Sequence, residues 1–130
     1  MTVASEPQIF RYEKPDSPRE KSIVSMCRTD ILRADVQVLK HGGENNLHAH
    51  TGNDGFWMVL AGRARFYGEG DVLLAEMGKH EGIAIPRGFK YWFESASEEP
   101  LELLHVVAYA ETVKDERINY TPLKSWQAQL

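Results

Sequence analysis

Short runs of strand character, each closed by Gly, Pro, Asp or Asn, follow one another along almost the whole chain. They read as Ile9–Tyr12, Ile23–Arg28, Ala34–Lys40, Asn46–His50, Phe56–Ala61, Ala64–Tyr67, Val72–Ala75, Gly82–Pro86, Lys90–Glu94, Leu101–Tyr109 and Ile118–Tyr120. No segment keeps a 3.6-residue apolar period over a dozen positions. The tail Pro122–Leu130 alone reads as a short helix. Many short strands with turns between them predict an all-β sandwich or closed barrel.

Side chains on a strand alternate between faces, so the runs also carry orientation. In Gly62-Arg63-Ala64-Arg65-Phe66 the arginines face one way, toward water, while Ala64 and Phe66 face the interior. Gln37 shares a face with Leu39. The chain has no internal repeat and no low-complexity segment.

At 130 residues one domain is expected. Folding would bury roughly two-thirds of the extended surface, enough for a core without staples. The formal charge of −4 disfavours a nucleic-acid or anionic-membrane surface, either of which needs a basic field. No apolar run approaches the ~18 residues that cross a bilayer. Met1–Pro7 has no basic stretch leading into an apolar one, so it does not read as a signal peptide. The single cysteine, Cys27, cannot form an internal disulfide and reads as a buried, inert thiol. A cytoplasmic protein is expected. Residues 1–20 read as an N-terminal arm or an edge strand exchanged with a neighbour, 21–112 as the barrel, and 113–130 as a tail packing on the barrel or on a partner.

The stretch from Gly42 to Gly62 carries the chemistry. His48 and His50 lie two apart on a strand, so both imidazoles share one face, with Cα atoms about 6.5–7 Å apart. Two such rings can converge on one ion or one substrate atom, and neutral imidazole ligates iron, nickel, copper and zinc. His41 and His80 sit among glycines and read as exposed turn residues.

The spacing of Gly42, His48, His50 and Gly62, with Val59-Leu60-Ala61 before the last glycine, resembles the first motif of the cupin superfamily. Pro86 and Gly88 in Ile83-Ala84-Ile85-Pro86-Arg87-Gly88 match its second motif. The likeness extends over about Ala34 to Tyr109 and implies a double-stranded β-helix, the jelly-roll barrel of that family. It also implies a small-molecule ligand or substrate, a divalent transition metal (Fe, Mn, Ni, Cu or Zn) in some members, and a homodimer. Dimers of this kind exchange terminal strands, for which Ile9–Tyr12 and Ile118–Tyr120 are candidates.

The motif residues are only partly present. Counting back from Gly62, the acidic ligand position falls on Gly55, with Asp54 beside it. Counting forward from Gly88, the histidine position falls on Tyr91. The opening glycine of that motif is replaced by His80 and the closing asparagine by Ser95. A third metal ligand would come from His105, from Asp54 brought inward by a bulge at Gly55, or from Tyr91 as phenolate. His105 reads otherwise as a hydrogen-bonded residue of the barrel wall.

With His48 and His50 inward, strand parity also turns Trp57, Tyr91 and Phe93 inward and leaves Lys90 and Trp92 outside. The mouth is then aromatic with a few polar points, suited to a small oxygenated organic molecule. Candidate catalytic residues are His48, His50 and Tyr91; candidate substrate contacts are Trp57, Phe93 and Asp54. Trp57, Tyr91 and Phe93 are equally explained as barrel packing. Three functions remain open. One is a metal-dependent enzyme that polarises a substrate oxygen or activates water or dioxygen. Another is a metal-free acid–base isomerase or epimerase using imidazole and phenol. The last is a non-catalytic ligand binder. No nucleic-acid or membrane partner is expected.

Overall fold

In strand β9, Leu101–Tyr109, the odd-numbered residues Leu101, Leu103, His105 and Val107 are buried and their neighbours are not. This strict alternation puts β9 at the centre of a five-stranded sheet. The computed structural model describes residues 6–43 and 46–123. Before β9 in the chain come β1 (Lys21–Arg28), β2 (Leu32–Leu39), β3 (His48–His50), β4 (Asn53–Ala61), β5 (Ala64–Tyr67), β6 (Leu73–Met77), β7 (Gly82–Ile85) and β8 (Trp92–Ser95), and after it β10 (Arg117–Asn119). Three antiparallel sheets form, in the orders β1-β2-β9-β4-β7, β6-β5-β8 and β10-β3.

The inner faces close on one apolar cluster containing Trp57, Phe66, Phe93, Tyr91, Leu39, Leu101 and Leu103. Trp57, Phe66 and Phe93 are fully buried and their rings touch, with centroids 4.9–5.8 Å apart. Burying side chains of this size contributes about 1.5–3 kcal/mol each. Ala64 and Phe66 point inward and Arg63 and Arg65 outward, as the alternation predicts. The outer arginines pair with Glu76, and Arg65 holds that carboxyl below the usual carboxylate range.

The run Ile9–Tyr12 does not form a strand. Its attachments are side-chain bonds in place of a backbone ladder. The Gln8 amide bonds both the N–H and the C=O of Arg28, and the Tyr12 hydroxyl donates to Glu102 at 2.5 Å on the outer side of β9. Burial first, and then Glu102, push the Tyr12 phenol well above its ordinary range. β3 is shorter than the run Asn46–His50 suggested, and Trp92, expected outside, is buried. Its indole stacks on Tyr67 at 4.1 Å and donates to Asp71 at 2.9 Å, so the turn at Glu69–Asp71 covers it. Cys27 is half-buried, beside a bulge in β1. His41 is exposed and its ring meets Glu20; His80 occupies a turn at φ 70°. Most of the tail predicted as helix, residues 124–130, lies outside the described residues. Among the described residues, no helix is long and apolar enough to cross a membrane.

Candidate functional site

β3 is held on both sides by backbone. Arg117, Ile118 and Asn119 of β10 pair with His50, Ala49 and His48. On the other side His48 exchanges backbone hydrogen bonds with Tyr91, and the Gly88 N–H donates to the His50 carbonyl at 2.7 Å. Gly88 turns the chain there at φ 83°, a conformation that favours glycine, so the Pro86-Arg87-Gly88 turn clamps the histidine strand.

His48 and His50 face the same way, with ring centroids 5.5 Å apart and edge to face. Their depths differ. His48 is fully buried, its ring 4.5 Å from that of Tyr91. Its Nδ1 lies 2.8 Å from the Asn46 carbonyl oxygen. A carbonyl only accepts, so Nδ1 carries a proton. His50 is half-buried, with Nδ1 3.8 Å from Asp115.

Beyond His50 the interior is nearly filled. The gap between His50, Asn53, Gly55, Ile85 and Tyr91 measures only about 10 Å³, roughly one water. The larger of the two spaces that His50 lines lies to one side, over β2 and β9. This cleft of about 380 Å³ is lined by Arg33, Asp35, Gln37, His105 and, from the opposite wall, His50 and Arg117. His50 is common to both spaces.

His105 connects the cleft to the core. It is the cross-strand partner of Asp35 on one side and of Trp57 on the other. Its ring lies flat on the indole, centroids 3.6 Å apart and planes 8° apart, and its Nδ1 is 3.6 Å from Asp35 Oδ1. Gly55 leaves room for this stack: a Cβ there would lie 3.5 Å from Trp57 Nε1 and 3.7 Å from His105 Nε2. The position that would carry the motif's acidic ligand is therefore taken up by an indole and an imidazole.

The candidate residues consequently separate. His48, His50, Tyr91, Trp57, Phe93 and His105 all face inward. Trp57 and Phe93 are fully buried in the core and line neither opening. Asp54 faces the other way. It is exposed on the outer face of β4, where Oδ1 accepts the Arg87 N–H at 2.8 Å. No bulge at Gly55 brings it inward, because Asp54, Gly55 and Phe56 stay in unbroken register with β9.

A transition-metal site does not fit this donor set. Among the described residues no group of three or more His, Cys, Asp or Glu side chains is placed to hold a metal ion. The two positions that would complete the pair are Gly55 and Tyr91, and His105 is committed to Trp57 and Asp35.

Asp35 and Arg33 were not singled out from sequence. The available signal was parity: Arg33, Asp35, Gln37 and Leu39 share one face of β2. A strand with polar alternate positions is ordinarily solvated on that side, which hid the site.

A model of the cupin domain matches residues 35–107, more than half of the chain. The chain is a cupin. Among solved structures, this cupin is similar to a double-stranded β-helix protein from Klebsiella pneumoniae, 19% identical over 90% of this chain and 100% of that one, with a TM-score of 0.70. TT1209 from Thermus thermophilus is 23% identical, over 75% of this chain and 90% of that one, at a TM-score of 0.61. A Streptomyces PAC13 variant bound to uridine is 12% identical, over 97% of this chain and 95% of that one, at a TM-score of 0.65. Pac13 is described as a nucleoside dehydratase. At these identities the likeness is one of fold. Among curated protein sequences this cupin has no significant match.

Proposed function

We propose that this cupin binds a small oxygenated organic molecule in the cleft at the barrel mouth, with His50 as the polar contact nearest the barrel centre. The observation that carries this reading is that His50 opens onto a cleft of about 380 Å³ whose other lining residues include Asp35, Gln37 and His105. A cleft of that volume and polarity suits a small metabolite. The uridine held by PAC13, a protein of the same fold, supports the size class. Saturation-transfer NMR with uridine and a panel of small keto and hydroxy compounds tests it. Signal is expected from a member of the panel and lost in His50→Ala; binding unchanged in that variant would place the ligand elsewhere.

A second reading adds acid–base catalysis. It is favoured by the convergence of His50, His105 and Asp35 on one cleft, since imidazole exchanges protons near neutral pH. His50 would take or deliver a proton next to a substrate carbonyl, while Asp35 orients His105. Tyr91 lines the small gap beside His50 and would orient a substrate oxygen reaching that far. Solvent deuterium entering carbonyl compounds beside the C=O, and ceasing in His50→Ala, would establish it. Binding without exchange leaves a ligand binder.

A homodimer completes the proposal. Ile9 is 91% exposed and Phe10 52%, side by side on an arm that forms no strand of its own. A second copy would bury them. Light scattering is expected to give twice the chain mass, and a single-chain mass would rule the dimer out.

A further inference from the structure

β2 lays two hydrogen-bond acceptors on the floor of the cleft, one pleat repeat apart. Asp35 and Gln37 are 7% and 4% exposed, and neither Asp35 Oδ1 nor Gln37 Oε1 receives a hydrogen bond from the described protein. His105 Nδ1, 3.6 Å from Asp35 Oδ1, is equally buried and likewise without a hydrogen bond. Arg33 Nε, a donor, is also buried without a hydrogen bond, so four such atoms sit around one opening. Asp35 Oδ1 and Gln37 Oε1 can only accept, so a ligand reaching them would have to donate.

Charge narrows what that is. Arg33 Nε stands 3.7 Å from Asp35 Oδ2, and Arg117 lines the facing wall. A cationic ligand would meet two guanidinium groups. An anionic ligand resting on β2 would meet the Asp35 carboxylate with its own lone pairs. A neutral molecule bearing O–H donors satisfies the floor without opposing either charge. Ile23, paired across from Gln37 and 59% exposed, adds an apolar patch on which the C–H face of a ring can rest.

We propose that the cleft takes a neutral, polyhydroxylated ligand whose neighbouring hydroxyls donate to Asp35 and Gln37, making these two residues its determinants of specificity. The inference rests on the reading of the barrel mouth as a small-molecule site. It names the ligand class and moves the recognition surface from the His48/His50 centre to β2.

The test titrates the full chain with D-ribose, D-glucose, D-mannose and myo-inositol, and with D-gluconate and D-glucosamine as charged counterparts, observed by ligand NMR and by the ring resonances of His50 and His105. At least one neutral probe is expected to bind at least tenfold more tightly than both charged ones. Asp35→Asn and Gln37→Met each preserve volume and should each weaken that probe at least tenfold. The second variant keeps the test open should the first fail to fold. Binding of gluconate or glucosamine as tight as any neutral probe, no binding of a neutral probe, or neutral binding untouched by both variants would overturn the inference. If a charged probe binds and His50→Ala abolishes it, the small-molecule site stands and only the ligand class falls. If no probe of any charge shifts either histidine ring, the site reading falls as well.

Discussion

The imidazole of His105 lies face to face on the indole of Trp57, 3.6 Å away, on adjacent strands in direct register. The pair ties the polar cleft to the apolar core. Trp57 is fully buried and touches Phe66 and Phe93 as well. Trp57→Ala should therefore lose about 3–5 kcal/mol of stability, read from urea unfolding. A loss below about 1 kcal/mol would mean the core closes without it.

Gly55 should accept one carbon and no more. A Cβ there would make ordinary contacts, at 3.5 and 3.7 Å, with Trp57 Nε1 and His105 Nε2. Gly55→Ala is expected to be close to neutral. Gly55→Leu should overpack the stack and cost roughly 1–3 kcal/mol. Equal stability of the two variants would show that the indole and imidazole are not held in place.

The two motif histidines should behave differently when removed. His48 is fully buried and bonded to the Asn46 carbonyl, so His48→Ala is expected to destabilise by roughly 1–3 kcal/mol. His50 is half-buried at the edge of the cleft, and His50→Ala should cost less stability while abolishing ligand binding. Thermal unfolding and ligand titration on the same samples separate the effects; the reverse pattern would reject this division of roles.

Donor geometry predicts the metal content. Among the described residues no group of three or more His, Cys, Asp or Glu side chains is placed to hold a metal ion, so a transition-metal site lacks a ligand. Untagged protein assayed for iron, manganese, nickel, copper and zinc should hold well under about one ion per chain. A stoichiometric ion lost in both His48→Ala and His50→Ala would show that the site assembles differently in solution.

Tyr12 sets an alkaline limit on the N-terminal arm. Its phenol is raised in the fold by burial and by Glu102, so the folded chain keeps this proton after the unfolded chain has lost it. The stability this adds is complete below about pH 10, the unfolded value, and fades as pH rises toward the folded one. Tyr12→Phe should cost about 0.5–1.5 kcal/mol at pH 7, and its deficit against the parent should shrink above about pH 10. A deficit independent of pH would mean the hydroxyl does not hold the arm.

Alternation alone was enough to place Leu101–Tyr109, Ala64–Tyr67 and the inward turn of His48 and His50, because a pleat repeats every two residues whatever surrounds it. Motif spacing, counted back from Gly62, marked Gly55 as the occupant of the acidic ligand position. What local pattern does not contain is depth. Parity makes Trp57 and His50 equally inward, yet one is sealed in the core and the other opens onto the cleft, since that depends on how far each lies from the barrel's open side. Likewise Asp35 on its own strand looks like a solvated residue of a polar face. Only the closing of β1, β9 and β10 around it makes it a buried carboxylate beside His105, because burial is decided by chain segments far apart in sequence.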